Sequence, residues 1–258
     1  MYRNYNPNMP SQPYQQFVPN AYVQPGQGEK LKRRKIEKQN ISTRFQIKID
    51  TLFIVYIVLF ALSFDMMLGI ANDPGNDKYL LMTLSILTSA ILGVAFAAFF
   101  ARPLRVYISK IDNRGLGSDL VKSIPYFIGM MISVLLSSFL MPLSRFNLST
   151  DEFFSISFVI TNAVAEEMTF SLFLGMITFA TAKNKFQVYV YSILNCGLFA
   201  LYHIFVYESL FTLIPLALGR FFLNLMFIKT GRISCPMLFH LLNNFIYVMP
   251  VILGVFGG

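Results

Sequence analysis

Apolar positions in this chain gather into seven long runs separated by short polar or charged connections. The runs lie at 51–70, 79–101, 124–143, 153–182, 187–207, 209–228 and 236–256. Each approaches the ~20 residues a helix needs to cross the hydrocarbon core of a bilayer. The pattern predicts an all-α polytopic membrane protein of about seven transmembrane helices, with 51–258 as the transmembrane domain. Residues 1–28 are rich in Pro, Gln, Asn and Tyr. They cannot bury a core and are expected to be a disordered tail, with no apolar stretch to act as a secretory signal. Residues 29–50 form a basic juxtamembrane segment containing Lys30, Lys32, Arg33, Arg34, Lys35, Lys38, Arg44 and Lys48. Such a segment is drawn to anionic headgroups on the cytoplasmic face.

Charge in the connections sets the orientation. After runs two, four and six come Arg102, Arg105, Lys110, Arg114 and Lys122, then Lys183 and Lys185, then Lys229 and Arg232. After runs one, three and five come Asp73, Asp77 and Lys78, then Arg145, Asp151 and Glu152, then Glu208. The excess of positive charge on alternate connections predicts a cytoplasmic N-terminus and a C-terminus outside. The longest internal connection, 102–123, holds the turn-rich Asp112-Asn113-Arg114-Gly115 and reads as a connector.

Composition agrees. Hydrophobic residues make up 55% of the chain and charged residues 13%, about half the share of a soluble domain. The net charge of +8 sits beside the spans, which argues for membrane surface and against nucleic acid as a partner. Cys196 and Cys235 lie in or beside apolar runs and read as small buried hydrophobes.

The runs are interrupted by a few groups that lipid would not tolerate. Glu166 and Glu167 stand in the middle of the fourth run. The chain's two histidines, His203 and His240, fall at the fifth and seventh runs, in Phe199-x-x-x-His203 and His240-x-x-x-Asn244. Ionisable groups at bilayer depth face a bundle interior and mark function, and residues four apart share a helix face. An intramembrane polar cavity is therefore expected. At about 1.5 Å per residue, Glu166 and His203 both lie about 24 Å from the ends of their runs. His240 lies only about 12 Å beyond Arg232 on the same count. An extended, re-entrant Ile233-Ser234-Cys235-Pro236 would remove the mismatch. A carboxylate, two imidazoles and an amide support water activation with stabilisation of an oxyanion. The same groups suit a structural polar cluster or an ion pathway. Glu166, His203 and His240 also form a His₂Glu set suited to zinc.

In order and on successive spans, Glu166-Glu167-x-x-x-Ser171, Phe199-x-x-x-His203 and His240-x-x-x-Asn244 resemble the three motifs of the CAAX protease and bacteriocin-processing (Abi) family. Gly219 and Lys229-Thr230-Gly231 precede the last motif, and the resemblance covers about 124–256. It implies an intramembrane endopeptidase acting on a membrane-associated peptide or protein. It further implies that Glu166 is the general base, that His203 holds the water with it, and that His240 and Asn244 form the oxyanion site. It favours a glutamate mechanism with no cofactor, zinc being the alternative.

One position departs from the family. The first motif ends in Arg there and in Ser171 here. This removes an intrahelical partner of Glu167 and admits an inactive scaffold that binds a partner through the same cavity. A carrier is the third reading. Arg220, at a depth similar to Ser171, is expected either to reach Glu167 across the helix interface, with Gly219 allowing close approach, or to extend to the headgroups. Asn162, one turn before Glu166, and Asn195, two turns before His203, could extend the polar face, but read first as interhelical hydrogen-bond donors.

Overall fold

The computed structural model describes residues 47–73, 75–101, 111–140, 152–204 and 210–252. The tail at 1–28, most of the basic segment, and the connections holding Arg102, Arg105, Lys110, Arg145 and Glu208 lie outside these residues.

The described chain is all helical: α1 (Thr51–Ala71), α2 (Asp77–Ala101), α3 (Leu116–Leu140), α4 (Glu152–Glu166), a π-helical segment (Glu167–Gly175), α5 (Met176–Thr181), α6 (Lys185–Tyr202), α7 (Leu210–Thr230) and α8 (Ser234–Ile252). Each apolar run of the sequence has become a helix, and α4, the π segment and α5 follow one another without a break. Five spans are long and apolar enough to cross a membrane: Thr51–Ala71, Asp77–Phe99, Leu116–Leu136, Phe153–Phe179 and Leu213–Thr230. This is the polytopic membrane class. Helices α6 and α8 are not among the five; α6 carries Lys185, Gln187 and Asn195.

The fourth run is the centre of the bundle. In its most apolar window 72% of positions are buried, against 17%, 28% and 22% in α1, α2 and α3. Helix α4 packs on α1, α2 and α8, and α2 lies along the π segment. That last approach is close because Gly93 has no side chain. A Cβ there would stand 2.6 Å from the backbone oxygen of Met168. Ser89 Oγ and Thr169 Oγ1, 2.8 Å apart, tie the same two elements together. Gly219, expected to permit a similar approach, does not do so. A Cβ there would meet nothing nearer than Ser133 Oγ at 3.6 Å, an ordinary contact.

Two expectations are corrected at the ends of helices. Helix α3 begins at Leu116, eight residues before the apolar run, and continues through Pro125. Asp119 and Lys122 look like loop residues but form an ion pair one turn apart, 3.2 Å, inside the helix. The entry to the last helix is also different. Gly231, at φ 68°, ends α7, a conformation that suits glycine. Helix α8 then starts at Ser234, so Pro236 sits in its first turn, where the missing N–H has no partner to lose. Between the two helices Arg232 forms an isolated bridge with Lys48, whose N donates to Gly231 O at 2.8 Å.

Arg232 is not at the surface. It is 0% exposed, and its guanidinium gathers three segments, the start of α1, the 111–115 connector and the start of α3. Nε donates to Asp119 Oδ2 at 2.8 Å, and Nη1 to Asp50 Oδ2 at 3.3 Å and to Asp112 O at 2.5 Å. Nη2 donates to Arg114 O at 2.5 Å. Asp50 in turn caps α1 through Phe53 N, 2.9 Å, and accepts from Ser234 Oγ at 2.6 Å. Asn113 Oδ1 accepts from Thr51 N at 2.8 Å. The connector of the sequence is thus a clamp between the start of α1 and the start of α8.

Removing Arg232 while leaving its partners strands Asp50 without a counter-charge, whereas Asp119 keeps Lys48 and Lys122. Arg232→Met is expected to lose about 3–5 kcal/mol of stability. The two buried cysteines allow the test by thiol-reactive dye during thermal unfolding. An unchanged melting temperature would show that the hub is dispensable.

Candidate active site

The polar groups of α4 stand one turn apart. Asn162 Nδ2 donates to Glu166 Oε1 at 2.7 Å, so this amide serves its own helix rather than a neighbour. At Glu167 the winding changes to π, a rare geometry that recurs at functional sites. Successive helical residues point about 100° apart, so the two glutamates turn to different partners. Both are buried, at 3% and 0% exposure.

Glu166 faces two imidazoles. His203 caps α6 with φ −92° and ψ 0°. Its Nδ1 lies 2.9 Å from Phe199 O, and its ring packs on the Phe199 ring with centroids 4.5 Å apart. A carbonyl only accepts, so Nδ1 carries a proton and Nε2 is the nitrogen presented elsewhere. That nitrogen stands 3.4 Å from Glu166 Oε1. His240 comes from α8. Its Nε2 is 3.5 Å from Glu166 Oε2, and its Nδ1 is 2.8 Å from Glu167 Oε1. The depth mismatch expected for His240 does not arise, because Arg232, from which it was counted, lies inside the protein.

Glu167 is the better-bonded carboxylate. Besides His240, it accepts from Arg220 Nη1 at 2.8 Å and from the Ser171 hydroxyl. Arg220, 1% exposed, also donates from Nη2 to Ser171 Oγ at 2.5 Å and from Nε to Asn195 Oδ1 at 3.2 Å. Asn195 Nδ2 donates to Phe170 O at 3.0 Å, so this amide does bridge helices. The guanidinium lies 5.7 Å from the Phe170 ring and 5.5 Å from that of Phe199.

The structure thus brings together Glu166, Glu167, His203, His240, Phe199 and Arg220. Asn244 stands one turn beyond His240 on α8, half-buried, and accepts from Asn243 Nδ2 at 3.4 Å. It bonds to neither glutamate. The sequence reading missed Ser171 as a bridging hydroxyl, having weighed it only as a lost cation. Its spacing from Glu167, one turn on the same face, was the available signal. It also missed Asn162 as a direct partner of Glu166, although the two are four apart.

A carboxylate faced by two imidazole nitrogens can orient and deprotonate a water, or supply ligands to a divalent cation. Both Nδ1 atoms are occupied by acceptors, the arrangement that commonly supports metal-bound histidines. Among the described residues, however, no three His, Cys, Asp or Glu side chains are disposed to hold a metal ion.

No curated protein and no solved structure matches the chain. Residues 148–246 match a family model described as type II CAAX prenyl endopeptidase Rce1-like. Through the segment that carries Glu166, His203 and His240, the chain is therefore similar to the Rce1-like CAAX prenyl endopeptidases, a match consistent with the CAAX protease and bacteriocin-processing family.

Proposed function

We propose that the chain is an intramembrane endopeptidase in which Glu166 activates a water. The observation that carries this reading is the placement of both histidine Nε2 atoms within 3.5 Å of one buried carboxylate. A water donating one hydrogen to Glu166 and the other to His203 Nε2 keeps a lone pair for attack. Glu166 takes the proton as the water oxygen bonds to the scissile carbonyl carbon. The C–N bond then breaks, and Glu166 returns the proton to the leaving amine.

His240 and Asn244 serve the carbonyl oxygen as it becomes an oxyanion. Donating from Nε2 to that oxygen while Nδ1 donates to Glu167 requires a proton on both ring nitrogens of His240 at that step. The polar cluster lines the cavity in which a membrane-associated peptide is held. The family match supports a C-terminally prenylated peptide as the substrate class. Seven crossings, with the N-terminus inside and the C-terminus outside, follow from the charge of the connections.

A second reading is favoured by the acceptors on both Nδ1 atoms. Glu166, His203 and His240, which are not disposed around a common metal position here, would then have to close on zinc, leaving one position for a water whose pKa the metal would lower.

Three outcomes test these statements. Glu166→Gln, His203→Ala and His240→Ala are each expected to lower turnover of a farnesylated CAAX peptide at least 100-fold while the protein stays in the membrane. Near-normal turnover by purified Glu166→Gln would remove the general base. Activity is expected to survive strong chelation; stoichiometric zinc, with activity lost on removal and regained on return, would decide for metal. A reporter fused after Gly258 should read as external, and a cytoplasmic reading would require an extra or missing span.

A further inference from the structure

Arg220 takes no part in the steps above, yet with Arg232 it is one of the two largest fully buried side chains among the described residues. A guanidinium does not enter an apolar bundle without a partner for its donors. Here Nη1, Nη2 and Nε each have one, on two different elements. Two donors converge on a single oxygen: Arg220 Nη1 and His240 Nδ1 both lie 2.8 Å from Glu167 Oε1. Displacing either moves the other's acceptor.

We infer that Arg220 is a positioning residue for His240. It holds Glu167 as a carboxylate that accepts the Nδ1 proton of His240 and so turns Nε2 of that ring toward Glu166. The inference rests on the peptidase reading and adds a residue from α7, a helix that contributes no other group to the cluster.

The chain of contacts explains why the cation stands on α7. Ser171 is small enough to leave the guanidinium room beside Glu167, and its hydroxyl links the two by accepting from Arg220 and donating to the carboxylate. Asn195 fixes the far edge of the fork from α6, the helix that ends on His203. The rings of Phe170 and Phe199 flank it. Phe199 also supplies the carbonyl that holds His203. One guanidinium thereby touches the supports of both histidines. An arginine serving only to neutralise Glu167 would need neither the shared oxygen with His240 nor the contact with the His203 support.

The test uses full-length protein in nanodiscs, a farnesylated CAAX peptide as probe, and nitrogen NMR of labelled histidine. The chain's two histidines make the spectrum assignable. Arg220→Met strands a buried carboxylate and risks misfolding. The decisive variant is therefore Glu167→Gln/Arg220→Met, which removes both charges and leaves no unpaired ion. It should fold and insert normally. Its kcat should fall roughly 10- to 100-fold, the usual effect of losing a residue that orients a histidine ligand or base, with KM within about threefold. Its His240 spectrum should lose the uniformly protonated Nδ1 of the native protein, because an amide can turn either end to the ring. Adding Ser171→Arg to Arg220→Met returns a guanidinium one turn from Glu167 and should recover at least about tenfold in kcat.

A folded Glu167→Gln/Arg220→Met protein with native kcat, or with an unchanged His240 spectrum, overturns the inference. Failure of the underlying reading looks different. A native protein that cleaves no peptide, or a Glu166→Gln variant that cleaves at the native rate, sinks the peptidase assignment and this inference with it. Loss in Glu166→Gln beside native rates in the double variant sinks the inference alone.

Discussion

Two adjacent carboxylates in the middle of an apolar bundle must each be supplied with donors. An unpaired ion there costs several kcal/mol, of the order of the stability of a whole domain. Glu166 and Glu167 meet this demand from five helical elements. Asn162 comes from α4, Ser171 from the π segment, His203 from α6, Arg220 from α7 and His240 from α8. The helices that deliver them are held where the carboxylates require. This accounts for the burial of the fourth run, whose neighbours on three sides carry mostly apolar outer faces. It also divides the labour between the glutamates. Glu167 accepts three short contacts, while Glu166 accepts one and stands 3.4 and 3.5 Å from the two histidine Nε2 atoms.

The Arg232 hub applies the same constraint at the start of α8. Asp50 and Asp119 are buried because they cap and clamp, and Arg232 makes their burial tolerable. Its effect on the site is geometric. Ser234, bonded to Asp50, opens the helix on which His240 lies six residues further on, about 9 Å along the axis. Fixing the first turn of α8 fixes the height of His240 against Glu166. The start of α1 and the connector at 111–115 therefore reach the site without approaching it.

Much of this was legible in the sequence because membrane helices announce themselves by length and because ionisable residues within them are rare. The runs became helices, the three motifs converged, and the partial depth count placed Glu166 and His203 together. What failed did so at positions where charge carries two meanings. Asp119, Lys122 and Arg232 were read as residues of connections, since charged groups usually mark the water side. Ion pairing buries Asp119 and Arg232 and leaves Lys122 exposed on the helix, so α3 starts two turns early and Arg232 is no ruler for depth. Gly231, rather than Pro236, breaks the chain before α8, because proline is tolerated in a first turn. Ser171 was judged by what it lacked. A hydroxyl that both accepts and donates is invisible until the cation on another helix is located.

A cation for Glu167 that stands on a neighbouring helix, rather than on its own, has a mechanical consequence. An intrahelical pair four residues apart stays formed however the helices move, since both partners ride on one rod. A pair between the π segment and α7 is formed only while those elements are in register. Here the charge that fixes Glu167, and through it His240, depends on the packing of α7 against α6 and the π segment. Asn195 and Asn224 reinforce that packing. Asn195 joins α6 to Phe170 O, and Asn224 Nδ2 reaches Ser192 O at 3.2 Å. Any displacement of α7 relative to α6 would therefore loosen the site's electrostatics together with its shape. The buried amides along this interface keep the two helices from sliding, which in an apolar environment dispersion contacts alone do poorly.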